Sequence, residues 1–267
     1  MFNRNSNIFK MNNRINQLFT KKKNNILSIY FTAGYPNLTD TVQIVQQLEQ
    51  SGVDLIELGI PFSDPSADGP TIQKSNERAL KNGMSIDVLF NQLKDIRKSV
   101  SIPLILMGYI NPVLQFGVEA FCKKCNETGI DGVILPDLPI EEYQNRFQDI
   151  FIKYDLINVF LISPQTSNER IQLIDKASEG FIYMVSSSST TGAGKKAEDF
   201  KTDYFSRIEK LNLNNPRLIG FGISDRSTFN KACQYASGAI IGSAFVSALQ
   251  EDDFDINQFI LSIKTPE

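Results

Sequence analysis

Histidine is absent from the 267-residue chain, and cysteine occurs only three times. Without imidazole the usual neutral-pH proton carrier is missing, so any acid–base chemistry must fall to other groups, carboxyls foremost. Three cysteines cannot complete a disulfide framework, which fits a reducing compartment. Cys122 and Cys125 form a C-x-x-C inside an expected helix, but only Cys233 remains as a further thiol, too few ligands for zinc. No apolar run approaches the roughly 20 residues of a membrane span, and no signal-peptide core precedes a small-residue cleavage site. A soluble, unsecreted protein without a membrane partner is expected. Acids are missing from the start of the chain: Arg4, Lys10, Arg14 and Lys21 to Lys23 all precede the first one, Asp40. That local bias reads as a solvated N-terminal helix, because the net charge of −3 argues against a nucleic-acid surface. A transit peptide would be richer in serine than this asparagine-rich start. The abundance of Asn, Ile and Lys points to an AT-rich genome, leaving algal plastid stroma and bacterial cytoplasm as candidate compartments.

What is present is apolar material for a full core, 42% of the chain, arranged in a repeating beat. Short apolar or β-branched runs recur at Ile26 to Thr32, Val53 to Leu58, Pro103 to Met107, Gly132 to Leu135, Ile157 to Ile162, Phe181 to Val185, Arg217 to Phe221 and Ala239 to Ile241. Each is nearly continuous in apolar character, as a strand buried on both faces requires. Helical spacing fills the intervals, around Thr39 to Gln50, Ile86 to Arg97, Gly117 to Thr128, Ile140 to Lys153, Asn168 to Ala177, Phe200 to Leu211, Asp225 to Tyr235 and Ser243 to Gln250. Eight strands, each followed by a helix, predict an α/β fold of the (β/α)8 TIM-barrel type, with a doubly wound open sheet as the alternative. No linker or composition break divides the chain, so residues 1–267 read as one domain. Residues 1–25 form an extension with an additional N-terminal helix, and Phe254 to Ile263 a closing helix. Ser186 to Asp199 is long for a βα loop and is expected to act as a lid.

In such a barrel the chemistry sits at the C-terminal ends of the strands, which places Tyr30, Glu57, Tyr109, Asp137, Tyr183, Gly222 and Gly242 at the mouth. The stretch Glu57-Leu-Gly-Ile-Pro-Phe-Ser-Asp-Pro-Ser-Ala-Asp-Gly-Pro70 sets three carboxylates among apolar and turn residues. Glu57 ends a strand and can point into the mouth, where desolvation would raise its pKa and suit it to exchanging protons. Asp68 lies in a loop braced by Pro61, Pro65 and Pro70; there it can remain ionised and face a developing positive charge, or instead cap a helix beginning near Thr71. Ile219-Gly-Phe-Gly-Ile-Ser224 and Ile240-Ile-Gly-Ser-Ala-Phe245 bring glycines and a helix start at Ser243 to the ends of the last two strands. Backbone N–H groups there favour a phosphate, and Thr190-Thr-Gly-Ala-Gly194 can add donors.

These segments, together with Tyr30-Phe-Thr-Ala-Gly-Tyr-Pro36 and Pro136-Asp-Leu-Pro139, resemble the tryptophan synthase alpha subunit family in order and spacing, from about Met11 to the C-terminus. The resemblance implies a lyase that cleaves indole-3-glycerol phosphate to indole and glyceraldehyde 3-phosphate, without a cofactor of its own. It implies Glu57 as general acid/base and Asp68 as the acceptor of the indole N–H. Tyr183 would line the site beside Glu57, Tyr109 would stand at the mouth, and Tyr30, Met107, Ile134 and Pro136 would wall the indole. Phosphate would fall to Gly192, Phe221, Gly222, Gly242 and Ser243, and Thr191 would meet Asp68 on lid closure. Ser189 departs from the family, where glycine is common; if that position needs positive φ, closure is less favourable here. The family also implies an α2β2 tetramer, with Asp64, Pro65 and Asn111 at the contact and pyridoxal phosphate confined to the beta subunit.

Three other enzyme readings and one non-enzyme reading compete. A stand-alone indole-3-glycerol phosphate lyase would use the same residues without a beta partner. A metal-dependent aldolase would want imidazole or clustered acids, and a Schiff-base aldolase a buried lysine, whereas Lys195 and Lys196 fall in the supposed lid. A catalytically inactive phosphate-binding barrel would have no use for the Glu57 and Asp68 pair.

Overall fold

The computed structural model describes residues 13–186, 202–220 and 222–264. Nine strand segments are present among them: β1 (Ile26–Thr32), β2 (Leu55–Gly59), β3 (Leu104–Met107), β4 (Gly132–Ile134), β5 (Ile157–Val159), β6 (Leu161–Ile162), β7 (Ile182–Val185), β8 (Arg217–Gly220) and β9 (Gly238–Ile241). All neighbours are parallel, in the order β5-β4-β3-β2-β1-β9-β8-β7-β6. The two ends of that order, β5 and β6, are halves of one stretch of chain separated by Phe160 alone. The sheet therefore closes on itself as an eight-stranded barrel. The Phe160 carbonyl accepts the Tyr183 N–H at 2.9 Å across the seam.

This interruption corrects the expectation of one continuous strand from Ile157 to Ile162. The chain pairs first with β4, up to Val159 opposite Ile134, and then with β7, from Leu161 opposite Tyr183. In a sheared barrel a short strand serves its two neighbours at different heights. The open-sheet alternative falls with the same observation.

β1 is buried along its whole length. Its alternate residues divide the two layers: Phe31 meets Phe245 of helix Ser243–Ala248 edge-on, with centroids 6.3 Å apart, while Ser28 reaches Glu57 inside the barrel. Helix starts follow local chemistry. Ser167 Oγ accepts the Arg170 N–H ahead of helix Asn168–Ala177, and Asp225 with Thr228 forms a capping box ahead of Arg226–Cys233. The expected Ile140 to Lys153 helix is wound more widely over Tyr143–Phe147, in a π-type turn. Its buried aromatics Tyr143, Phe147 and Phe151 are spaced by four rather than 3.6, and a wider turn keeps all three on one face. The expected Ile86 to Arg97 helix ends as α-helix at Leu93 and resumes as a 3₁₀ turn over Ile96–Lys98.

The far end of the barrel is closed by helix Arg14–Lys21. Ile15 and Phe19 are its buried residues. Ile15 occupies space that a side chain at Gly132 or Gly180 would claim, and the Phe19 ring lies 5.5 Å from Phe181. Asp131, only 3% exposed, binds Arg14 at 2.9 Å, Arg97 at 2.6 Å and the Leu104 N–H at 2.8 Å. Asn13 caps the helix and donates to the carbonyls of Asp131 and Asp155. Satisfied on both oxygens, the buried carboxylate ties the N-terminal helix to the strands it covers. Cys122 and Cys125 are buried in helix Val118–Thr128, and burial pushes the Cys122 thiol up to about 12. They pack as small apolar groups.

Candidate active site

Glu57 sits in the middle of β2, opposite Tyr30 on one side and Ile105 on the other. Its side chain points inward and is fully buried. Ser28 Oγ donates to Glu57 Oε1 at 2.8 Å, while Oε2 is buried with no hydrogen-bond partner among the described residues. Burial pushes the carboxyl up to about 8, the Ser28 bond pulling the other way. At pH 7 Glu57 therefore holds its proton.

Asp68 lies in the loop that follows β2, within a tight local fold: Ser66 N–H to the Asp64 carbonyl at 2.9 Å, and Asp68 N–H to the Pro65 carbonyl at 3.0 Å. Its Oδ2 accepts the Tyr109 hydroxyl at 3.1 Å, and Tyr109 in turn accepts the Ala67 N–H at 3.0 Å. The helix-cap alternative is not realised, since Gly69 is the N-cap of helix Pro70–Lys81, Pro70 takes the first helical position, and no side chain caps it. Burial raises Asp68 to about 6, and the Tyr109 bond opposes the rise. Asp68 is thus mainly ionised at pH 7, where Glu57 is mainly protonated.

Three tyrosines frame the two acids. Tyr30 and Tyr183 are buried, and each hydroxyl occupies the space over a glycine, Gly59 for Tyr30 and Gly220 for Tyr183, where any side chain would collide with it. Burial holds both phenols well above their ordinary range, reinforced by the nearby charges of Asp68 and Glu57. Tyr109 is raised by burial and by Asp68. These mutual influences place Tyr30, Glu57, Asp68, Tyr109 and Tyr183 in one region at the barrel mouth. Met107 pairs with Gly59, two residues beyond Glu57 toward the mouth, and Ile134 pairs with Met107 in turn. Ile134 is buried and Met107 half-buried. Pro136, also half-buried, lines a cleft of about 530 Å³ between the loop after β4 and the Ser163–Ser167 segment.

Beyond the ends of β8 and β9, Gly222 has φ of +76°, a conformation that only glycine adopts without strain, and its missing Cβ would lie 3.8 Å from Ser186 Oγ. Gly242 is the N-cap of helix Ser243–Ala248 and abuts Tyr30, whose Cδ1 would be 3.4 Å from a Cβ there. The first-turn N–H groups of that helix, from Ser243 onward, have no intrahelical acceptor. The rim around Asp64, exposed, and Pro65, half-buried, borders a groove of about 570 Å³ with Phe62, Gln73 and Leu80. Asn111 is exposed on helix Ile110–Phe116. Thr191, Gly192 and Phe221, the expected lid over Ser186 to Asp199 beyond its first residue, and Ser189 within it lie outside the described residues.

One residue at the site, Ser28, and one helix, Ile110–Phe116, escaped the sequence reading. Ser28 is two residues before Tyr30, and strand alternation puts both on the inner face, so the signal was available. Asp137, expected at the mouth, accepts the Ile110 N–H at 2.9 Å and so anchors the start of helix Ile110–Phe116, a seven-residue element not expected at all. Among the described residues, no three His, Cys, Asp or Glu side chains are grouped so that they could hold a metal ion.

A closed parallel barrel with two differently tuned carboxyl groups, one inside β2 and one in the loop that follows it, defines a (β/α)8-barrel enzyme. The model of one protein family, described as tryptophan synthase alpha chain, matches residues 16–264. The tryptophan synthase alpha chain of Flavobacterium psychrophilum is 60% identical over 252 residues, covering 94% of this chain and 99% of the relative. That of Flavobacterium johnsoniae is 61% identical over 253 residues, covering 94% and 100%. Among solved structures, tryptophan synthase from Mycobacterium tuberculosis superposes with a TM-score of 0.85 at 31% identity, covering 94% of this chain and 96% of that one. The subunit alpha from Legionella pneumophila gives 0.83 at 35% identity, covering 94% and 97%. The chain belongs to the tryptophan synthase alpha chain family.

Proposed function

We propose that this chain catalyses the alpha reaction, the reversible retro-aldol cleavage of indole-3-glycerol phosphate to indole and glyceraldehyde 3-phosphate. Protonated Glu57 gives its proton to indole C3, which makes the ring system cationic. Asp68, ionised and half-buried, accepts the indole N–H and offsets that charge. The Glu57 carboxylate then takes the proton from the side-chain hydroxyl next to the ring. As the carbonyl forms, the carbon–carbon bond breaks, its electron pair returns to the indole, and Glu57 is protonated again. One carboxyl group serves as acid and then as base, so a site without histidine suffices.

Tyr30, Met107, Ile134, Pro136 and Tyr183 are assigned to the indole pocket. The phosphate is assigned to backbone N–H groups around Gly222, Gly242 and Ser243, with Gly192 and Phe221 completing the cradle and Thr191 closing on Asp68. The observation that carries the reading is the buried Glu57 carboxyl with one oxygen held and one unpartnered, in the same mouth as an ionised Asp68. The chemistry asks no cofactor of this chain. Pyridoxal phosphate belongs to a beta subunit, met through Asp64, Pro65 and Asn111 in an α2β2 assembly that passes indole onward for tryptophan synthesis. The relatives named above are bacterial, and no helix among the described residues is long and apolar enough to cross a membrane. The bacterial relatives favour a bacterial cytoplasm over a plastid.

Indole release from indole-3-glycerol phosphate, measured while a beta subunit is titrated in, tests the partner and the reaction together. Turnover that rises with beta subunit is expected. Turnover that ignores it would mark a stand-alone lyase, and no turnover under any condition would leave a phosphate-binding barrel.

A further inference from the structure

Ser28 is fully buried on β1, and its one strong polar contact inside the barrel is with Glu57 Oε1 at 2.8 Å. Glu57 Oε2, equally buried, has no partner among the described residues. Buried polar atoms ordinarily find a partner, so an oxygen left without one stands out. Here a single donor, fixed by a strand backbone, settles which oxygen is engaged. We propose that Ser28 is a positioning residue for the alpha reaction: its hydroxyl holds Oε1 and thereby presents Oε2, carrying the exchangeable proton, to the substrate. The inference rests on Glu57 being the acid–base group.

The consequence is a division of labour within one carboxyl. Ser28 donates to Oε1, which therefore keeps carbonyl character, and the acidic proton resides on Oε2. When Oε2 gives up that proton, the same Ser28 bond becomes charge-assisted and stabilises the carboxylate. Ser28 thus eases release of the proton, leaves the carboxylate a correspondingly milder base for the second half of the cycle, and offsets part of the cost of burial. The titratable groups around Glu57 are Tyr30 on β1, Tyr183 on β7 and Asp68 in the loop after β2, with Tyr109 behind Asp68. None of these is basic, so among the described residues no cation shares the task.

The test is the titration of Glu57 followed by carbon-13 NMR in protein labelled at the glutamate carboxyl, assigned by the signal lost in Glu57→Gln, alongside steady-state kinetics. In Ser28→Ala the midpoint should rise by about one pH unit. At neutral pH kcat should fall by about tenfold with KM little changed. Ser28→Thr, which restores the hydroxyl, should return both toward wild type. Ser28→Cys, close in volume but a weaker donor, should lie between wild type and Ser28→Ala, and it covers the case in which the alanine variant fails to fold. A folded alanine or cysteine variant that titrates with the wild type would overturn the proposal. If instead Glu57→Gln keeps wild-type turnover, the role given to Glu57 fails, while the titration still reports whether Ser28 holds the carboxyl.

Discussion

Replacing Glu57 by glutamine is expected to lower kcat for indole release by at least about a hundredfold, with little change in substrate affinity. General acid–base groups commonly contribute about 10²- to 10⁴-fold, or roughly 2.7 to 5.4 kcal/mol of barrier. Glutamine preserves the shape and the Ser28 contact but cannot deliver a proton from the Oε2 position. A rate within a few-fold of wild type would remove Glu57 from the mechanism. The same substitution carries a stability signature of opposite sense. The folded-state pKa of about 8 lies above the ordinary value of 4.5, so the folded protein holds a proton that the unfolded chain has released. That contribution is complete below about pH 4.5 and is lost as pH rises through about 8. Unfolding free energies from denaturant titrations between about pH 5 and 9 should fall in wild type by a larger margin than in Glu57→Gln, the difference being on the order of a few kcal/mol. Parallel curves would mean that Glu57 is not held protonated in the barrel.

Asp68→Asn should cost about 10²- to 10³-fold in kcat/KM, the scale of removing one electrostatic contact to a charge that develops in the transition state. The amide can still take the Tyr109 hydroxyl bond and can still accept the indole N–H, so the loss isolates the negative charge. The two carboxyls together predict a bell-shaped pH dependence of kcat/KM. Activity should decline below about 6 as Asp68 gains a proton and above about 8 as Glu57 loses one. In Asp68→Asn the acidic limb should disappear while the basic limb stays. An unchanged acidic limb would assign it to another group, and a rate within twofold of wild type would deny Asp68 its part.

The chain's periodicity carried the barrel because parallel strands covered by helices on one side and packed against each other on the other are apolar on both faces. β1 matched its expected span residue for residue, and helix Asn168–Ala177 did so as well. What escaped was set by partners distant in sequence. Nothing in Ile157 to Ile162 reveals that its two halves pair with different neighbours, because that depends on the barrel's shear. The short helix Ile110–Phe116 depends on Asp137, a side chain from the next βα loop. At the site, Glu57 and Asp68 were legible because carboxylates are costly among prolines and apolar residues. Alternation put Ser28 on the inner face, but it was not singled out: its partner across the ladder is Leu55, and only the fold shows its hydroxyl reaching Glu57 two residues further along β2. Asp68 was expected ionised in a loop braced by prolines; burial raises it to about 6, which still leaves it mainly ionised at pH 7. Its charge is therefore held where water competes less for it, which strengthens its action on a cation.

The central claim is that a phosphate gripped at Gly222, Gly242 and Ser243 brings the indole across the barrel mouth to Glu57 and Asp68. A crystal structure with an uncleavable indole-bearing glycerol phosphate analogue tests it most directly. The account predicts phosphate oxygens within hydrogen-bond distance of the Gly242 and Ser243 N–H groups, the indole N–H on an Asp68 carboxylate oxygen, and Glu57 Oε2 facing C3. An analogue bound with its ring turned away from both carboxyls, or with its phosphate elsewhere, would contradict it.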